Sequence, residues 1–191
     1  MIRQLTILFF ICFVGACGEP PNPNTPKGAV AMLGPCIDRN DEACLFQCLD
    51  RESRWAIATI HKNLKSMRAV VEKSYPEARR AEAYGTWGEE AAAQSAQQVF
   101  ARFCQERHCL QKIAAGYGAV RSVAELQPDR VTVETTRGET FELMRFDGKW
   151  GLALYQKELL SAKLRISDSL AQVKKNADIF DEQRRATGGA E

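Results

Sequence analysis

Charge of a single sign is missing from this chain. Its 26 Lys and Arg stand against 24 Asp and Glu, a formal net charge of +2 over 191 residues. Basic and acidic residues are interspersed, so the chain has no electrostatic footprint of a nucleic-acid binder and no such partner is expected. Histidine is scarce: His61 and His108 are the two in the sequence. The patterns that announce familiar catalytic machinery are missing as well. There is no G-x-S-x-G, no H-E-x-x-H and no glycine-rich phosphate loop. No residue is therefore assigned to catalysis, to a cofactor or to a metal ion. Long apolar runs are lacking too. The best is residues 5–14, short of the ~20 that a bilayer-spanning helix needs.

What is present starts with that short run. Arg3 supplies a basic beginning, the run follows, and Val14-Gly15-Ala16-Cys17 closes it. A basic start, a short apolar stretch and small residues before a cut site are the parts of a secretory signal. The four closing residues resemble a bacterial lipobox. The resemblance implies that residues 1–16 are a signal peptide and that Cys17 is lipidated to become the first residue of the mature protein. The expected location is then the bacterial cell envelope, with the membrane as partner through lipid on Cys17. In such proteins an Asp after the cysteine favours the inner membrane. Gly18 stands there instead, which favours the outer membrane facing the periplasm. Four of the seven prolines fall at Pro20, Pro21, Pro23 and Pro26. Residues 17–26 therefore read as an extended tether.

About 165 residues remain, enough for one domain with a real core. The chain reads as α+β. Helices come first: a short one from Ala29 that stops or bends at Gly34-Pro35, and a second capped by Asn40-Asp41. Asp50 can cap a long third helix. On it Ile57, Ile60, Leu64, Met67 and Val71 repeat at spacings 3, 4, 3, 4, one amphipathic face, and Pro76 ends it. Thr86 and Glu89 predict a capping box for a helix carrying Val99, Phe100 and Phe103. Four alternating segments follow at 119–126, 130–135, 140–146 and 149–155, parted by Pro128-Asp129, Arg137-Gly138 and Asp147-Gly148. They predict an antiparallel meander with one face on the core, Trp150 among its buried residues. A long C-terminal helix from Gln156 to Arg184 closes the chain. Leu159, Ile166, Val173 and Phe180 lie seven apart on it, with Leu170 and Ala177 between and Lys163 interrupting. Residues 27–158 are expected as the single domain and 159–191 as helix and tail. The seam packs on the body up to Ile166, and beyond it can take a protein partner or a second copy.

Cys36, Cys44, Cys48, Cys104 and Cys109 are the disulfide candidates, since an exported compartment favours oxidation. A bridge from the Cys36–Cys48 segment to the Cys104–Cys109 segment is expected. It would close a long loop worth ~4 kcal/mol by loop entropy. An alternative is a zinc site drawn from Cys44, Cys48, Cys104, His108 and Cys109, although C-x3-C and C-x4-C are loose spacings. Arg102, Arg107 and His108 could make Cys104 a reactive thiol. A second alternative is acid–base chemistry by His61 with a carboxylate. His61 sits on the flank of Ile60, where a structural role is the commoner one.

Two segments carry a further resemblance. Phe146-Asp147-Gly148-Lys149-Trp150-Gly151-Leu152 and Leu45-Phe46-Gln47-Cys48-Leu49-Asp50-Arg51-Glu52-Ser53-Arg54-Trp55 are similar to stretches of the nuclear-transport-factor-two-like superfamily. The resemblance covers roughly residues 27–158. It implies N-terminal helices packed on a curved antiparallel sheet of about four strands, forming a cone that can hold a small apolar ligand. The cysteines and the terminal helix depart from that pattern. Such domains include enzymes, binding proteins and scaffolds, so the resemblance does not choose a function. The sequence reading is a lipid-anchored envelope protein with a non-catalytic binding or scaffold domain.

Overall fold

The computed structural model of the chain describes residues 20–188. The signal segment, Cys17 and the last three residues lie outside the described residues. The fold is α+β: helices, then a four-stranded antiparallel sheet, then a long helix.

The stretch expected as tether is folded from residue 22 onward. The Asn22 amide donates to the Gly28 carbonyl at 3.1 Å, and the Trp150 amide donates to Pro23 at 2.6 Å. Helix α1 (Pro26–Ala31) starts on Pro26, where a missing N–H costs nothing, with Thr25 accepting from the Gly28 amide. Gly34-Pro35 does not stop the chain. The path bends at Met32, and α2 (Leu33–Asp38) carries Pro35 in its first turn, where prolines are tolerated. Asp41 caps α3 (Glu42–Cys48) by accepting from the Cys44 amide. Asp50 caps α4 (Arg51–Ser74), accepting from the Glu52 and Ser53 amides at 2.7 and 3.1 Å. Its predicted face is buried from Ile57 through Val71.

The capping box at Thr86 does not form. Thr86 lies in a single tight turn after α5 (Glu77–Tyr84), and α6 (Gly88–Ala91) is one turn long without a side-chain cap. The helix bearing Phe100 and Phe103 is α7 (Ala96–Arg107), and Ser95 caps it by accepting from the Gln98 amide. Ser95 wins because its backbone is extended there (φ −148°), as an N-cap requires. His108 then takes a left-handed conformation, and α8 (Cys109–Gly116) leaves in a new direction.

The sheet is a plain meander of β1 (Val120–Gln127), β2 (Arg130–Thr135), β3 (Thr140–Phe146) and β4 (Lys149–Leu152). Val131 pairs with Leu143, and Leu143 with Leu152, so these residues share one face. With Val133 and Phe141 they are buried, and α1 packs across β1, β2 and β4. The opposite face is polar: Arg130 pairs with Glu142 at 2.6 Å, and Ser122 and Arg121 bond Glu134. Asp147 and Gly148 both have positive φ, the twist-matched turn that Asp-Gly favours. Trp150 shares Leu152's face but is half-buried, because it sits at the rim beside Arg145. The free edge of β4 is covered by the joint between α3 and α4. Leu49 bridges Leu152 in parallel, and the Asp50 amide donates to the Leu152 carbonyl at 2.9 Å. The two segments that carry the family resemblance thus touch each other.

The last helix, α9 (Gln156–Ala186), belongs to the body along its whole length. It runs parallel to α4: Asn63 bonds Ser167, the Tyr75 hydroxyl donates to Val173, and Arg184 reaches Ser74. Leu159, Ala162, Ile166, Leu170, Val173 and Ala177 are buried in this seam, and Phe180 meets Tyr75 edge-on at 4.9 Å. The seam beyond Leu170 packs on α4 as its first half does. A helix of 24 residues such as α4 extends ~36 Å, long enough to take the seam.

Candidate functional site

The helical layer holds a small, partly enclosed hollow. Ile57 and Ile60 of α4, Val99, Phe100 and Phe103 of α7, and Leu159 and Ala162 of α9 surround a cavity of 210 Å³, with Trp87 as one wall. Three apolar faces converge here without filling the gap, because the chain breaks between α6 and α7. Charges stand at the rim. Arg107 pairs with Glu106 at 3.0 Å and lies 4.0 Å above the Phe103 ring, while Arg165 donates to the Ser161 hydroxyl. Glu90 completes the rim, and burial holds its carboxyl above the usual range, with Arg102 acting the other way. The site can therefore seat a small, largely apolar group with a polar end outward.

The cysteines adopt an arrangement that differs from the expected one. Cys36 and Cys44 are bonded to each other, with Cα atoms 5.3 Å apart, and no bridge joins the two cysteine segments. The sharp turn between α2 and α3, where Asn40 has φ +49°, brings Cys36 and Cys44 face to face. Cys48, Cys104 and Cys109 are free and buried. The Cys48 sulfur lies 3.9 Å from that of Cys36 and points at the Met32 carbonyl. Burial pushes its thiol up to about 11. Cys104 and Cys109 hydrogen-bond across the break at His108. That bond and burial raise the Cys104 thiol, while the bond from Cys104 lowers Cys109, helped by the Tyr155 hydroxyl. Tyr155 in turn stacks edge-on with Phe103 of the pocket wall. Tyr155 thus links the thiol pair to the cavity wall.

The other candidates are not brought together. His61 is half-exposed and borders a shallow hollow with Lys65, Arg68 and Glu72, but Glu72 is paired with Arg68 at 2.7 Å. Among the described residues no hydrogen bond or ion pair joins His61 to a carboxylate. The zinc set is dispersed, since Cys44 is in a disulfide and His108 is exposed. Among the described residues no group of three or more His, Cys, Asp or Glu is placed to hold a metal ion. No helix among them is long and apolar enough to cross a membrane. Compared with protein-family models, with curated proteins and with solved structures, the chain matches none.

Proposed function

We propose that this is a lipid-anchored cell-envelope protein whose domain binds a small, largely apolar ligand between its helices and performs no catalysis on it. The cavity walled by Ile57, Ile60, Phe100, Phe103 and Leu159 carries the reading. Its apolar floor offers burial at about 25 cal/mol per Å². At its rim Arg107 pairs with Glu106, Arg165 donates to the Ser161 hydroxyl, and burial holds the Glu90 carboxyl above its usual range, so the rim can orient a polar end. The sequence Val14-Gly15-Ala16-Cys17 supports anchoring by lipid on Cys17, and Gly18 supports the outer membrane. Kinship with the nuclear-transport-factor-two-like superfamily is part of the same proposal. The helices-first order and the contact between Leu49-Asp50 and Leu152 support it. The ligand, however, belongs between helices, because α1 fills the apolar face of the sheet.

Binding of the apolar fluorophore anilinonaphthalene sulfonate tests the pocket. Ala162→Leu narrows the cavity from the α9 side, at a cost in stability of ~1–3 kcal/mol that a thermal melt will register. At least tenfold weaker probe binding in a variant that still melts cooperatively is expected. Unchanged binding would place the probe elsewhere and defeat the reading. Membrane flotation of Cys17→Ser tests the anchor: the variant is expected in the soluble fraction.

A further inference from the structure

We infer that the end of the molecule formed by the β3–β4 hairpin and the start of α4 rests on the lipid surface, with Trp55 and Phe146 in the interfacial layer. The inference rests on the acylation of Cys17 proposed above and adds which face of the domain meets the bilayer.

The first ground is where the chain leaves the body. Pro23 is held by the Trp150 amide and Asn22 by the Gly28 carbonyl. Five peptide steps separate Asn22 from Cys17, and covalent geometry limits their reach to about 18 Å. That is half the length of α4, which is ~36 Å. A lipid on Cys17 thus keeps the surface around Trp150 close to the bilayer.

The second ground is what that surface presents. Arg145 pairs with Trp150 in the sheet, and Arg145, Phe146, Met144, Trp55 and Arg51 line one cleft of 420 Å³. Trp55 and Phe146 are 60% and 52% exposed, among the most exposed large apolar side chains of the described residues. Each carries a cation on its ring: Arg51 stands 3.8 Å above Phe146 and Lys163 stands 4.1 Å above Trp55. Aromatic rings paired with cations suit the bilayer interface. Rings settle at headgroup depth, and long basic side chains lie along apolar surface with their charge toward phosphate. Lys149 at the hairpin adds a cation, while Asp50, Glu52 and Asp129 of the same cleft and Asp147 at the hairpin oppose it. The balance is near neutral, so the patch would bind lipid poorly by itself. Tethering supplies the effective concentration that makes weak contact persistent.

The test uses the full-length acylated protein in vesicles of phosphatidylethanolamine and phosphatidylglycerol, some with brominated acyl chains. Bromine quenches tryptophan at contact. Emission from the wild type should fall by up to about a third, the share of one tryptophan in the three of the chain. Trp55→Phe, at an exposed position, should lose most of that fall and keep its fold. Wild type that floats with the vesicles but is quenched no more than Trp55→Phe overturns the orientation and leaves the anchor standing. Wild type that stays in the soluble fraction overturns the anchor and the orientation together.

Discussion

Replacing Ile166 by alanine should destabilise the protein far more than replacing Leu164, two positions away. Ile166 is 0% exposed in the seam between α4 and α9, whereas Leu164 is 63% exposed. Ile166→Ala removes three carbon groups from a dry site. At ~0.8 kcal/mol per group the transfer term is ~2.4 kcal/mol. A cavity of roughly 80 Å³, at ~24 cal/mol per Å³, adds up to ~2 kcal/mol if nothing relaxes. The expected loss is therefore about 2.5–4 kcal/mol, and the transition temperature should fall by roughly 5–15 °C for a domain of this size. Leu164→Ala should stay within ~0.5 kcal/mol. Urea titration measures both, provided the slope with denaturant is unchanged. Equal costs, or a larger cost at Leu164, would mean that α9 is rotated and that its seam does not face α4. The parallel pairing of the two helices would then be wrong.

Four further outcomes are expected. Gly151→Ala should destabilise by at least ~1–3 kcal/mol, because its Cβ would stand 2.6 Å from the Asp50 Cα and 2.7 Å from the Leu49 carbonyl; a wild-type melting temperature would show that the joint does not lie on β4. Trp150→Ala should cost ~1–2 kcal/mol in the same melt, below the ~3–5 of a fully buried tryptophan, since this side chain is half-buried at the sheet rim; a cost above ~4 kcal/mol would put it in the core. Non-reducing peptide mapping should return Cys36–Cys44 with Cys48, Cys104 and Cys109 as thiols. A thiol raised from 9.0 to about 11 is neutral when protonated, so its reactive thiolate at pH 8 is cut about a hundredfold. Alkylation of Cys48 in the native protein should therefore be slow at pH 8 and quicken about tenfold per pH unit toward 11. Labelling at the rate of a free peptide thiol would contradict its burial.

Much of the fold was legible because local chemistry and tertiary packing agree. The 3, 4, 3, 4 stripe from Ile57 to Val71 is buried as read, and Asp50 and Asp41 cap where an aspartate before an apolar run should. Asp147-Gly148 turns with both φ values positive, and β2 and β3 begin and end where the alternation placed them. Thr86 failed for a physical reason. A capping box needs a helix that continues, and Gly85 and Gly88 flank a turn too short to propagate one. Ser95 has Gln98 three residues on, itself a capping-box pair; the Gln98 amide donates to the Ser95 hydroxyl and its side chain accepts from the Gln94 amide, so the true cap carried a local signal that went unread. The heptad seam of α9 was correctly found, but periodicity cannot say what covers a stripe. The parallel course beside α4 decides that.

The candidate site was less legible, because it depends on how elements meet. Each wall of the cavity was read as apolar: Ile57 and Ile60 on one helix, Val99, Phe100 and Phe103 on another, Leu159 on a third. Nothing in three separate stripes says that they leave space between them. The space follows from the break at residues 92–95, which ends α6 after a single turn and sets Trp87 against the gap. The disulfide shows the same dependence. The expected bridge joined the Cys36–Cys48 segment to the Cys104–Cys109 segment, and spacing in the sequence could not choose the pair. Asn40 in a left-handed turn folds α2 back on α3 and brings Cys36 to Cys44. Asn40-Asp41 was visible as a cap. Asparagine is also among the residues that tolerate positive φ, so the same dipeptide was the available sign of a reversal. The proline stretch follows a parallel logic. Proline is excluded from helix interiors and inner strands but leaves its carbonyl free to accept, and Pro23 uses it to hold the Trp150 amide. A segment without regular structure can thus still be fixed in place, and here it sets which end of the domain lies nearest to Cys17.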